Sequence, residues 1–386
     1  MADARADVVV VGGGIIGCAV AYYVARRGAR ALVVEASETG GGASGARVGM
    51  LAAQGEAHHP GPLLDLLLES RAEHRRLADD LIHFTGRDAG YVWAGTLRVA
   101  TDEASRAELS KEHAWQRGRG LDARWLEGDD LRGLEPALSP DAAAGLYFPE
   151  DGQVNPPQLL EAMQLGIALA GSRVREYTRV TGFLRDGSRV TGVRTTSGDV
   201  HAGAVVLAAG VDSDLLASHL DVTLPLHPVK GELVTLRVRP PPIRSNVWDA
   251  ERLYLVPKRD GRVVVGATEE PGVHDRRPTL GGVSRLGRAA MELVPGLADA
   301  LFVEAWGGLR PGMPSGEPVL GTVDGLDGFL LATGHFRNGV LLSAVTGSAI
   351  GALALGEDPP VDLRPFRYRR EAPAPGGRGP APTRRS

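Results

Sequence analysis

The chain has 386 residues, more than one compact core usually serves, and its 43% hydrophobic and 23% charged content is that of a globular protein, so two domains are expected. A net charge of −4 offers no general attraction for nucleic acid or an anionic membrane. A single cysteine excludes an intramolecular disulfide and, with a polar N-terminus and no apolar run near the roughly 20 residues that cross a bilayer, points to a cytoplasmic protein without a transmembrane segment.

In chain order, DVVVV (residues 7–11) is a β-branched run of the kind buried in a parallel sheet, and it feeds directly into GGGIIG (residues 12–17). This predicts strand, glycine turn and a helix from Ile16 to Arg27. Gly12 permits the turn, Gly14 lets a pyrophosphate approach the backbone, and Gly17 lets the helix lie close on the strand. The helix N-terminus would receive the pyrophosphate. The next strand, ALVVEA, ends at Glu35, eighteen residues beyond Gly17, where a carboxylate can accept hydrogen bonds from a ribose and would repel a 2′-phosphate.

Residues 40–56, GGGASGARVGMLAAQGE, form a small-residue loop without period, open to close contact with a flat ligand. A helix is predicted over 62–84, a strand over 95–100 and a charged helix around Asp102 to Arg119. Another helix begins at Pro156 and Pro157, whose rings suit a first turn. Residues 174–210 read as strands joined by turns at Asp186-Gly187 and Ser197-Gly198, ending in the buried run AVVLAAG. LPLHPVKGELVTLRV, RLYLVPK and GRVVVGATEE are further strands of a separate, mostly antiparallel sheet. FLLAT (329–333) is a last buried strand before GHFRNG and a helix from about Val340 to Leu355. The Arg-, Pro- and Gly-rich segment from Arg364 reads as a disordered tail. His58-His59 lacks the Cys or paired carboxylates of a metal site and reads as an exposed loop, so no metal is expected.

GGGIIG with Glu35, SGARVGMLAAQGE, PVKGE, LYLVP, VVVGATEE, GGLRPG and GHFRNGVLLSAVTG occur in this order in the D-amino acid oxidase superfamily, which the chain resembles over about residues 5–365. The last two motifs are similar to those of its glycine oxidase branch, which serves thiazole formation in thiamine biosynthesis. The resemblance implies a mixed α/β fold: a Rossmann-like FAD-binding domain (5–85, 155–215 and 305–365) and a discontinuous substrate domain on a mostly antiparallel sheet (86–154 and 216–304), followed by the tail at 366–386. It implies FAD as cofactor, in contact with Gly12, Gly14, Ile15, Ile16, Gly17, Glu35, Ala36, Ala43, Ser44, Arg47, Val48, Gly49, Met50, Val180, Gly210, Gly334, His335, Arg337, Asn338, Gly339, Val340 and Leu341. Some relatives attach flavin through a Cys near the C-terminal motifs or a His near the first loop; Cys18 lies on the nucleotide helix and residues 40–57 hold no His, so the FAD is expected to be noncovalent. Members often form tetramers, which implies a homo-oligomer.

A substrate carboxylate is best fixed by the planar fork of an arginine. By resemblance Arg310 is that clamp, Tyr254 assists it, and Arg337 is either a second substrate ligand or a brace for the turn over the flavin. With the carboxylate held, the Cα hydride can pass to flavin N5 without a protein acid or base, so no catalytic residue is named. The imine hydrolyses to a 2-oxo acid, glyoxylate from glycine, and ammonia, while oxygen becomes hydrogen peroxide. His335 and Arg337 are expected to add positive field to that of the last helix at the flavin. Glu269 departs from the apolar residue expected there: it would hold the substrate amine, shift specificity toward larger or secondary amines, or face solvent. Arg47 is bulkier than the small residue expected in its loop. The rival readings are a D-amino acid dehydrogenase using another electron acceptor, a sarcosine oxidase-like enzyme, and a flavin subunit that works only within a complex.

Overall fold

The computed structural model describes residues 4–46, 48–57, 59–250 and 253–370. The strand Ala4–Val11 pairs in parallel with Ala31–Val34 on one side and Gly198–Leu207 on the other. Arg173–Arg175 extends the parallel set beyond Ala31–Val34, and Leu326–Thr333 extends it beyond Gly198–Leu207. The hairpin Val180–Asp186 with Arg189–Thr195, and the antiparallel strand Val319–Val323, complete an eight-stranded sheet. Its central strands are rich in valine and buried along residues 8–11, 31–34 and 204–207, where helices pack on the sheet.

The first helix spans Ile15–Arg26, one residue earlier than the sequence suggests. It packs against the last helix, Gly339–Ala354, which is apolar all round and accordingly buried along most of its length. Gly347 permits this approach, since a Cβ there would stand 2.9 Å from the Ala19 carbonyl carbon. The helix Pro62–Thr85 braces the last helix from the other side. Its His74 Nε2 lies 2.9 Å from the Leu341 carbonyl oxygen, and Ser70 donates to the same carbonyl at 2.5 Å.

A second sheet of nine strands is antiparallel except where Asn246–Trp248 runs parallel to Thr96–Ala100. His227–Arg237 lies in it between Arg262–Gly266 and the long strand Leu301–Gly312. Gly307, Gly308 and Pro311 mask the pattern of this last strand, which in sequence shows only as the GGLRPG motif. The strand crosses residue 305, where the sequence reading places a domain boundary. The helix Leu280–Leu293 was also missed, its glycines lowering helix propensity. A Thr279 cap and the burial of Leu286, Ala290 and Leu293 form it nonetheless.

The C-terminal expectation needs a correction. Residues through 370 are described and packed: Phe366 is buried in the core beside the first and last helices, and Arg367 donates to Thr322 Oγ1 at 3.1 Å. An aromatic side chain fills the space that composition assigned to a tail. Residues 371–386, Arg47 and His58 lie outside the described residues. His59 is exposed, and among the described residues no helix is long and apolar enough to cross a membrane.

Candidate active site

A cavity of about 640 Å³, within the range of ligand sites, is lined by residues of both sheets. The glycine turn forms its floor. Gly12 has φ +109°, and a Cβ would stand 2.5 Å from the Ala208 carbonyl oxygen, so only glycine fits between the two parallel strands. A Cβ on Gly17 would lie 2.0 Å from the Gly12 carbonyl oxygen; Gly17 sits behind the floor and closes helix onto strand. Ser44, in the short turn Ala43–Ala46, accepts the Ile15 N–H at 2.8 Å and so ties the loop to the helix start. Glu35 accepts the Gly13 N–H at 2.7 Å and, with its other oxygen, the N–H and hydroxyl of Ser37 at 2.8 and 3.0 Å. Three of a carboxylate's roughly four acceptor positions are taken, which fixes it and leaves one for a ligand hydroxyl.

The cavity continues along Ala36, Ala43, Val48, Gly49, Met50, Val180 and Gly210. Gly49, at φ +71°, turns the chain where a Cβ would lie 2.2 Å from the Val154 carbonyl oxygen. The buried Lys258 ammonium donates to the carbonyls of Val48 and Val154, the latter at 3.2 Å, and to Gln153 Oε1 at 2.8 Å. Burial pulls its pKa down to about 7. Lys258 thus anchors the loop, a role the sequence reading missed; one lysine among so many arginines was the available signal.

Asn338, Gly339 and Val340 begin the last helix on the cavity wall, and no side chain caps this end. Its N–H groups are therefore available to a negatively charged ligand. Gly334 and Leu341 do not line the cavity. Gly334, at φ +76°, turns the chain toward the helix, and Leu341 is held by Ser70 and His74 beneath it. His335 lines the wall but is 4% exposed, with Nε2 3.1 Å from Thr346 Oγ1. Burial drives its pKa down to about 3, so the imidazole is neutral at pH 7 and adds no positive charge, contrary to the sequence expectation.

Tyr254 and Arg310 meet in the antiparallel sheet. The Arg310 side chain lies over Gly231, where a Cβ would stand 2.4 Å from Nη2, and Nη1 donates to the Thr268 carbonyl at 3.1 Å. Among the described residues no carboxylate pairs with it, so its remaining donors can serve a ligand. Burial raises the Tyr254 pKa, Arg310 and Arg337 counteract it in part, and the phenol stays neutral. Arg337 is held differently. Nη1 reaches Glu269 Oε1 at 2.7 Å and Nε reaches Glu56 Oε2 at 3.3 Å, with the guanidinium 5.8 Å from the Trp248 ring centroid. Burial works against its charge, but Glu56, Tyr254 and Glu269 keep it above its ordinary range. Glu56 and Trp306, which also line the cavity, were not singled out in the sequence; a lone acid closing a small-residue loop was the legible trace of Glu56.

The sequence model described as DAO, FAD dependent oxidoreductase, matches residues 7–353. The chain belongs to that family. It is 39% identical over 367 residues to the glycine oxidase of Geobacillus kaustophilus strain HTA426, covering 95% of this chain and 97% of the relative. A crystal structure of glycine oxidase from Geobacillus kaustophilus superposes with a TM-score of 0.92 at 38% identity, covering 96% of this chain and all of that one. The bifunctional protein ThiO/ThiG of Synechocystis is 35% identical, covering 91% of this chain and 52% of that protein. The protein is an FAD-dependent amino acid oxidase, and the glycine floor, Glu35 and the uncapped helix end fit that cofactor.

Proposed function

We propose that this enzyme oxidises glycine or another small primary or secondary amino acid, such as sarcosine, to a 2-oxo acid and an amine or ammonia, with oxygen reduced to hydrogen peroxide. Arg310 carries the reading: a guanidinium facing the cavity with no carboxylate partner among the described residues, beside a buried Tyr254. It takes the substrate carboxylate through two parallel N–H bonds, and Tyr254 steadies the same group. Bound, noncovalent FAD supplies the hydride acceptor at N5 and returns the electrons to oxygen. Cys18 is no attachment point, being buried in the first helix with its thiol pKa pushed up to about 12. The N–H groups at Gly339 and Val340 favour negative charge on the flavin, and His335, neutral, lines the wall without exchanging a proton. Positioning supplies most of the acceleration, so no side chain is assigned as general base.

The likeness to ThiO/ThiG supports a role in forming the thiazole of thiamine. Purified protein should be given glycine, sarcosine, D-alanine and D-proline, with peroxide and 2-oxo acid measured together. Equal amounts of both products from at least one of these substrates are expected. Turnover only with an artificial quinone would convert the reading to a dehydrogenase, and no turnover with any acceptor would overturn it. Restoration of growth without thiamine in a bacterium lacking its own glycine oxidase tests the pathway.

A further inference from the structure

We propose that Glu56, Arg337 and Glu269 form a charge filter that rejects amino acids bearing a second carboxylate, with Glu269 as the positioning residue that withholds Arg337 from substrate. This rests on the reading that the cavity takes amino acids through Arg310. The sequence reading makes Arg310 the clamp and leaves Arg337 as either a second ligand or a brace, and the structure holds the two differently. Arg310 donates to a backbone carbonyl, lies beside Tyr254 and meets no carboxylate among the described residues. Arg337 sits between two carboxylates, its side chain 10% exposed and Glu56 9% exposed, while Glu269 is 42% exposed. The peptide that carries Glu269 serves both: the Thr268 carbonyl receives Arg310, and the next side chain receives Arg337. One short segment therefore sets the roles of the two cations.

Charge balance gives the consequence. Among the described residues two arginines and two glutamates cancel, so a zwitterionic substrate with one carboxylate leaves that set neutral. A second carboxylate adds an uncompensated negative charge beside Glu56 in a partly desolvated space, where like charges are strongly disfavoured. Arg337 Nη2 is buried without a hydrogen-bond partner among the described residues. It is the one donor a second carboxylate would seek, yet Glu56 and Glu269 already neutralise its charge. Without Glu269 the set as a whole would carry one net positive charge, and Nη1 of the same guanidinium would be released as a second donor.

The experiment compares matched pairs, sarcosine with iminodiacetate and D-alanine with D-aspartate, in wild type, Glu269→Gln and Glu269→Met. In wild type, kcat/KM for each dicarboxylate should lie at least tenfold below its partner, through KM. Removing one partly exposed charge should raise the dicarboxylate-to-monocarboxylate ratio by about tenfold in both variants, the size of a discounted surface-near ion pair. Malonate and acetate binding, followed by perturbation of the flavin absorbance in the holoenzyme, should shift in the same sense and does not depend on turnover. Ratios within twofold of wild type for both variants, or a wild type indifferent to the second carboxylate, would overturn the filter. If none of the four substrates is oxidised, the functional reading fails, while the malonate and acetate measurement still decides the filter.

Discussion

Replacing Arg310 by alanine tests the centre of the site. The guanidinium carries five N–H donors: Nη1 donates to the Thr268 carbonyl at 3.1 Å, Tyr254 lies beside it, and no carboxylate among the described residues takes the others. A substrate carboxylate would therefore gain two charge-assisted bonds, each worth about 1.5–3 kcal/mol. Arg310 is half-buried, so solvent screening reduces the pair to about 3–4 kcal/mol. At about 1.4 kcal/mol per factor of ten, Arg310→Ala should lower kcat/KM by about 10²–10³, chiefly through KM. Oxygen consumption over a range of sarcosine concentrations measures this, with FAD content read from the absorbance of the same sample. Arg310→Lys, a point charge without the fork, should recover part of the loss. Kinetics within threefold of wild type in the alanine variant, with FAD fully bound, would refute the assignment.

Gly231→Ala should act on the same clamp indirectly. Its methyl would stand 2.4 Å from Arg310 Nη2, so the side chain must move and KM should rise while FAD stays bound; unchanged KM would mean that Arg310 does not need its present seat. Glu35→Ala removes the acceptor of the Gly13 and Ser37 N–H groups, and should weaken FAD binding by about 10- to 100-fold, measured by flavin fluorescence on dilution. Stability should fall as pH drops from about 6.5 toward 4. His74 and His335 are held neutral by burial, with pKa values lowered to about 4 and about 3, whereas unfolding lets them take up protons near 6.5. Each contributes about 1.4 kcal/mol per pH unit within that window. Thermal melts against pH should show a shallower slope for His74→Gln, and an identical slope would contradict its buried neutral state.

Much of the nucleotide half was legible because its chemistry is local: a β-branched run, glycines at fixed offsets and an acid at the end of the next strand. The charged residues of the substrate half owe their roles to contacts between distant segments. Arg337 was readable as a site residue, but its state depends on Glu56, 281 positions away in sequence. His335 next to an arginine looked like added positive charge, and only burial beside Thr346 shows it to be neutral. Lys258 carried no motif of its own, because its three acceptors come from the loop at Val48 and from Gln153 and Val154. The strand Leu301–Gly312 was hidden by the same glycines and proline that shape the Arg310 site, a place where function overrides local propensity.

The embrace of the first and last helices bears on how the enzyme is made. The glycine turn at residues 12–17 and the helix starting at Gly339 come from opposite ends of the chain, and both border one cavity. Contacts of such sequence separation are slow to form, so a nascent chain holds no complete cavity until the helix starting at Gly339 has left the ribosome and docked. A ligand that binds only the docked state then stabilises it by mass action. Flavin supply during synthesis should therefore govern how much active enzyme a cell accumulates, with the cofactor acting as the final clasp of the fold.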